Sequence, residues 1–221
     1  MILPTDMLHP GRPEGTRLMF VGKLRTAAFA ALAALALPAA LPGTASAWAS
    51  ASASASASAS EAPSQRAVPG YETWQADVRK ATGPAIPWLQ DRVGRGGGRL
   101  AVVLDIDNTA LETHYHPGQP NKPVLKVAQW AKEHRVSVLF VTARTSSSSA
   151  RKELKNAGYT VDAICTREHG ESKEEGKERC RGELTHDGYT ITANIGNRST
   201  DFAGGFYEKA FKLPDYDGRL S

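Results

Sequence analysis

The stretch that most constrains the fold is Leu100-Ala101-Val102-Val103-Leu104, followed at once by Asp105-Ile106-Asp107-Asn108-Thr109. Five apolar residues without polar alternation predict a strand buried on both faces, the pattern of a parallel sheet with helices on each side. Asp105 and Asp107 then stand at the carboxyl end of that strand, where open α/β sheets carry their chemistry. In an extended chain residues two apart share a face, so both carboxylates are candidates for one pocket, subject to the bend into the following loop. Such a pair suits a nucleophilic carboxylate, a second carboxyl acting as acid and base, and a divalent cation that holds the charges together. The competing reading is an Asp-rich turn closing a strand, with Asn108 as a turn residue.

Around this strand the chain alternates in a regular way. Tyr71 to Lys80 and Ala81 to Val93 have helical apolar spacing, with Gly94-Arg95-Gly96-Gly97-Gly98 as a loop. That loop is no phosphate cradle, because no strand precedes it and no Gly-Lys-Ser/Thr follows. Ala110 to Lys122, with His114, His116, Pro117 and Pro120, is predicted to be a long loop lying over the end of the Asp105 strand. A helix over Pro123 to His134 and a buried strand over Val136 to Thr142 come next, which implies a right-handed crossover and a parallel sheet. Thr142 and Arg144 follow that second strand. Ser146 to Ser149 suit the start of a helix over Ala150 to Ala157. A short strand at Val161 to Ile164, a charged helix at Ser172 to Leu184 and a strand at Tyr189 to Ile195 complete the alternation. Asn197 and Asp201 lie just past the last strand, where oxygen ligands suit Mg²⁺; an N-cap or Asx turn is the other use of Asn197. The final segment, with Phe206, Tyr207, Phe211 and Leu213, is predicted to be a short helix and a packing tail.

The first third of the 221 residues has a different character. Lys23 and Arg25 precede the apolar run Ala27 to Leu37, which ends in Ala45-Ser46-Ala47, the layout of a secretory signal peptide cut after Ala47. The run is short for a membrane span. Residues before Met19 fit this layout poorly, so Met19 is an alternative start. An Ala-Ser spacer over residues 48–66 offers too little apolar area to join a core, leaving residues 67–221 as one domain. The formal net charge is +4, with both signs mixed and no Lys/Arg cluster interleaved with aromatics, which gives no case for nucleic-acid binding. Cys165 and Cys180 are the two cysteines; an exported domain would permit their oxidation, and too few further ligands stand near for zinc.

The ordered strand-end motifs resemble those of the haloacid dehalogenase (HAD) superfamily, and within it the secreted acid phosphatases related to plant acid phosphatases and vegetative storage proteins. The resemblance spans about Tyr71 to Pro214. It implies that Asp105 is the nucleophile, Asp107 the acid/base and Thr109 the close of the first motif. It further implies that Thr142, in Val-Thr-Ala-Arg, and Lys177, in Lys-Glu-Arg-Cys-Arg, bind phosphate, with Thr109 and Arg144 as further substrate contacts; a surface ion pair is the other use of Arg144. Asp105, Asp107, Asn197 and Asp201 would hold Mg²⁺. Asn197 departs from the pattern, which has aspartate there, so one negative charge beside the cation is missing. The implied fold is α/β: a HAD-like Rossmannoid three-layer sandwich with a central, mainly parallel sheet, a small flap and no large cap domain.

The expectation is therefore a secreted, Mg²⁺-dependent acid phosphatase that acts on small phosphomonoesters and has no stable membrane insertion after processing. The rival keeps the fold as a catalytically weak storage or binding protein, which the loss of a carboxylate at residue 197 favours and the paired Asp105 and Asp107 oppose. A dehalogenase would not need Asp107, and a phosphoacceptor signalling domain would not need an export signal.

Overall fold

The computed structural model describes residues 67–220. The segments read as leader, residues 1–47, and spacer, residues 48–66, lie outside the described residues. In chain order the elements are α1 (Tyr71–Thr82), α2 (Ala85–Gly94), β1 (Arg99–Leu104), α3 (Lys122–Glu133), β2 (Ser137–Thr142), α4 (Ser147–Asn156), β3 (Ala163–Thr166), α5 (Lys173–His186), β4 (Tyr189–Gly196) and β5 (Lys209–Lys212). A single 3-10 turn, Ser199–Asp201, follows β4.

The five strands form one sheet in the order β3-β2-β1-β4-β5, with every neighbouring pair parallel. Parallel pairing needs crossovers, and the helices between strands supply them. Alternation along each strand divides the core in two. Val102, Leu104, Val138, Phe140, Ala193 and Ile195 point to one face, where α1 to α4 cover them through Trp74, Val78, Leu89, Val127 and Leu154. Ala101, Val103, Leu139, Val141 and Ile191 point to the other face and pack on Cys180 and Leu184 of α5. Helices thus cover both faces, and the expected three-layer α/β sandwich is present. Among the described residues no helix is long and apolar enough to cross a membrane.

Local chemistry explains the element ends. Ser146 caps α4 by accepting from the Ser149 amide at 3.4 Å, so this helix starts three residues earlier than apolar spacing alone suggested. Ser172 and Glu175 form a capping box that fixes where α5 begins. The expected helix after β4 is absent. Gly204 and Gly205 adopt positive φ and interrupt any helix, and the chain enters β5 instead, burying Phe211 between exposed lysines.

Candidate active site

Asp105 ends β1 at the carboxyl edge of the sheet, between β2 and β4. Its amide donates to the Ile195 carbonyl at 3.0 Å, which keeps it in register with β4. The chain then curls rather than continuing as a strand. Leu111 donates to the Ile106 carbonyl at 2.9 Å, and Asn108 takes a left-handed φ of 55°. The Asn108 side chain secures this turn by accepting from the His114 amide at 2.7 Å. Asp105 is therefore buried at the base of a cleft while Asp107 stands half-exposed on its wall. The turn, not strand alternation, brings the two carboxylates to one cleft.

That cleft, of about 310 Å³, is lined by Asp105, Asp107, Thr113, Lys177, Asn197 and Arg198, among others. Lys177 reaches it from the second turn of α5, the charged helix of the sequence. Lys177 is 3 % exposed, and its ammonium donates to Asp105 Oδ1 at 2.9 Å and to Asp201 Oδ1. Burial alone would lower the Lys177 pKa, but the Asp105 and Asp201 carboxylates outweigh it and hold the ammonium well above the usual lysine range. Burial and the nearby Asp201 charge push Asp105 up to about 7, against the pull of Lys177.

Thr109, expected to touch substrate, is instead wholly buried. Its hydroxyl lies 3.3 Å from Asp105 Oδ2 and 3.4 Å from Asn197 Oδ1, so it orients the site from beneath. Thr142 sits one residue behind the cleft wall, which Ala143 lines. The Thr142 hydroxyl accepts from the Arg144 amide at 3.2 Å and keeps its own proton uncommitted. Arg144, also expected at the substrate, grips Asp107: Nε donates to Oδ2 at 2.9 Å and Nη2 to Oδ1 at 2.6 Å. Burial opposes ionisation of Asp107, yet the Arg144 hydrogen bonds and charge prevail and hold its carboxyl below the usual range. His114 and His116 do not line the cleft; His116 Nδ1 pairs with Glu112 at 2.8 Å.

Among the described residues no cluster of three His, Cys, Asp or Glu is arranged to hold a metal ion. The donor set is two carboxylates and an amide, and one atom tests the fit. The buried Asn197 Nδ2 has no hydrogen-bond partner, while Oδ1 faces the Thr109 hydroxyl. Exchanging the two amide atoms satisfies the pattern: the nitrogen donates to Thr109, Thr109 donates to Asp105, and a carboxamide oxygen becomes the free atom. An uncommitted oxygen next to the Thr109–Asp105 pair is the kind of donor Mg²⁺ takes, so the chemistry of Asp105, Asn197 and Asp201 fits the ion.

Two features escaped sequence reading. Arg181, fully buried in α5, donates to the carbonyls of Asp201 and Gly205 at 2.8 Å each and to Ala203, shaping the loop that carries Asp201. Behind the Asp105 turn, buried Glu112 accepts from Gln75 at 2.8 Å and Tyr71 at 3.0 Å, joining the flap to α1. Gly196 has a readable reason in the fold: any Cβ there would run into the Asp201 carboxylate.

Sheet order, strand-end carboxylates and a buried lysine together define an α/β fold with an acidic cleft at the carboxyl edge of its sheet. Comparison with protein families is specific: the chain belongs to the HAD superfamily, subfamily IIIB (acid phosphatase), whose family model matches residues 39–219. Among solved structures it is similar to the class C acid phosphatase from Bacillus anthracis, with a TM-score of 0.54 and 16 % identity over 66 % of this chain and 80 % of that one. At that identity the likeness speaks for the fold. No curated protein matches the chain.

Proposed function

We propose that the chain is a secreted, Mg²⁺-dependent acid phosphatase that hydrolyses small phosphomonoesters through an aspartyl-phosphate on Asp105. The observation that carries this reading is the Lys177 ammonium held 2.9 Å from Asp105 Oδ1 at the base of the cleft. A lysine in this position leaves Asp105 Oδ2 to attack, and its third N–H is available to a phosphoryl oxygen. Mg²⁺, when bound, supplies positive charge that lets a phosphate dianion approach a carboxylate.

The residues then have separate duties. Asp105 attacks phosphorus in line, forming an O–P bond as the bond to the leaving oxygen breaks. Asp107 gives its proton to that oxygen, then takes one from the water that displaces Asp105 from phosphorus. Lys177 and the Thr142 hydroxyl counter the charge on the equatorial oxygens. Asp201 holds Lys177 in place from its far side. With a loop flap over residues 110–121 and no larger insertion between the described elements, the cleft selects its leaving group weakly, and broad phosphomonoester use is expected.

Purified residues 61–221 should hydrolyse a chromogenic phosphomonoester with Mg²⁺ and lose activity with a chelator. Asp105→Asn should abolish turnover while leaving the circular dichroism spectrum unchanged. Equal inactivity of wild type and Asp105→Asn with every divalent ion tried would favour the storage or binding role. Export is supported by the Lys23–Ala47 sequence pattern. N-terminal sequencing of protein from the medium should begin at or near Trp48, and recovery of an intact 27–37 segment in membranes would refute it.

A further inference from the structure

We propose that Lys173 and Arg198 form a second anion subsite at the mouth of the cleft, favouring phosphomonoesters whose leaving group carries its own anionic group. The inference rests on the reading of the cleft as a phosphatase site and names the substrate class it prefers. Both residues line the same cleft as Asp105 and Lys177, at a different depth. α5 follows β3 in a parallel sheet, so its first residues stand at the carboxyl edge of the sheet. Lys173 precedes Lys177 by one turn on the same helix face. Four residues of helix put it about 6 Å farther out. Lys177 is buried against Asp105 and Asp201, whereas Lys173 is exposed. Arg198 enters from the end of β4. Its amide donates to Asp201 Oδ2 at 2.7 Å, and Nη2 donates to the carbonyl of Leu220, which also lines the cleft, at 2.6 Å. That anchor orients the guanidinium and leaves N–H groups for a ligand.

The two charges are surplus to the protein's own pairing. Asp105 and Asp201 share Lys177, and Asp107 is held by Arg144, so each carboxylate of the cleft already has its cation. The acids beside Lys173 are turned elsewhere. Glu175 accepts from the Ser172 amide at 2.8 Å, Glu171 pairs with Arg179 at 2.6 Å, and Glu174 does not line the cleft. Among the described residues neither Lys173 nor Arg198 forms an ion pair, whereas Arg92, Lys132 and Lys212 pair with Glu208, Asp162 and Asp215.

The cleft volume of about 310 Å³ lies at the small end of ligand sites, about 300–1,000 Å³. It suits a phosphoryl group joined to a short chain, and about three or four carbons span the offset between Lys177 and Lys173. Shape selects the leaving group weakly at this open mouth, so the selection there is electrostatic.

The test compares kcat/KM, with Mg²⁺ in excess, on the phosphate monoesters of 4-hydroxybutanoate and 4-hydroxybutanamide. These are equal in size and differ by one charge. Wild type should favour the carboxylate ester at least about 4-fold, because an exposed pair contributes about 2–5-fold for each cation. Lys173→Gln and Arg198→Gln should each lower the ratio about 2–5-fold, and the double variant should bring it near one. Lys173→Glu should lower it further than Lys173→Gln, and raised ionic strength should shrink the wild-type preference. Lys126→Gln removes the same charge from α3, outside the cleft, and should leave the ratio at the wild-type value. Lys173 is exposed, so its variants carry the test even if Arg198→Gln loosens the Leu220 contact. A wild-type ratio near one, a ratio that both Lys173 variants leave unmoved, or an equal shift with Lys126→Gln overturns the inference while the phosphatase reading stands. If wild type hydrolyses neither ester nor a chromogenic phosphomonoester, the phosphatase reading falls first, and the inference with it.

Discussion

The Arg181 guanidinium, with no exposed surface, donates to the Asp201 backbone carbonyl at 2.8 Å. The loop that presents Asp201 to Lys177 is thus held by a charge that never meets solvent, through carbonyls of Asp201, Ala203 and Gly205. Arg181→Leu keeps the apolar stem but leaves the half-buried carbonyls of Ala203 and Gly205 without this donor, while the Asp201 carbonyl keeps the Asn194 side-chain amide at 2.7 Å. It should cost about 1–3 kcal/mol, measured by urea unfolding, the range for an unsatisfied buried acceptor. An unchanged unfolding midpoint would mean that water replaces the guanidinium.

Asn197→Asp tests the metal site. A carboxylate there adds negative charge beside Asp105 and Asp201, so the Mg²⁺ concentration for half-maximal activity should fall. In chelator the same change should lower the melting temperature, because three anions then crowd one lysine. Unchanged Mg²⁺ dependence would make Asn197 a turn residue and leave the ion to the two aspartates.

Acid stability should report the Glu171–Arg179 pair, whose Nε lies 2.6 Å from Glu171 Oε1. Hydrogen bonding to Arg179 holds the Glu171 carboxyl down at about 2, from an ordinary 4.5. A depressed folded-state value stabilises above the unfolded value and is lost as pH falls toward the folded one. Wild type should therefore exceed Glu171→Gln in melting temperature above pH 5, and the gap should close between about pH 4.5 and 2. A constant gap across that range would remove the pair as its cause.

Cys165 and Cys180 form a disulfide that ties β3 to α5 across a separation of 15 residues. Thiol titration of the unfolded, unreduced protein should find no free thiol. Reduction should cost about 3 kcal/mol, the chain-entropy value for a loop of this length. Two free thiols would contradict the bond and leave the catalytic reading intact, since Asp105 needs no disulfide.

The sequence made some of this legible and hid the rest for physical reasons. The β1 run and its aspartates are local signals, and periodicity placed most helices and four strands. β5 escaped because four residues with one buried apolar side chain, Phe211, carry almost no periodic signal. Thr109 was placed in the site by resemblance, but only three dimensions show that it lies under the carboxylates rather than over them. Lys177 and Arg181 look like members of a solvated charged helix, because a face that turns inward only to meet carboxylates and carbonyls has no apolar signature. Arg144 was legible as a charge at the right sheet edge, but its partner Asp107 lies 37 residues away and no spacing rule connects them.

The place of β1 in the sheet has a consequence for synthesis. Once β3 has been made, β1, β2 and β3 can pair, yet the other edge of β1 stays open until residues 189–196 emerge as β4. During that interval the most apolar strand of the domain presents an unpaired edge, the state most prone to association with other chains. Lys177 has already been made, but Asp201, which completes its pair of carboxylates, comes only after β4. A chain shortened before β4 therefore carries the nucleophile and its lysine without a closed sheet to hold them, and should depend on chaperones to stay soluble.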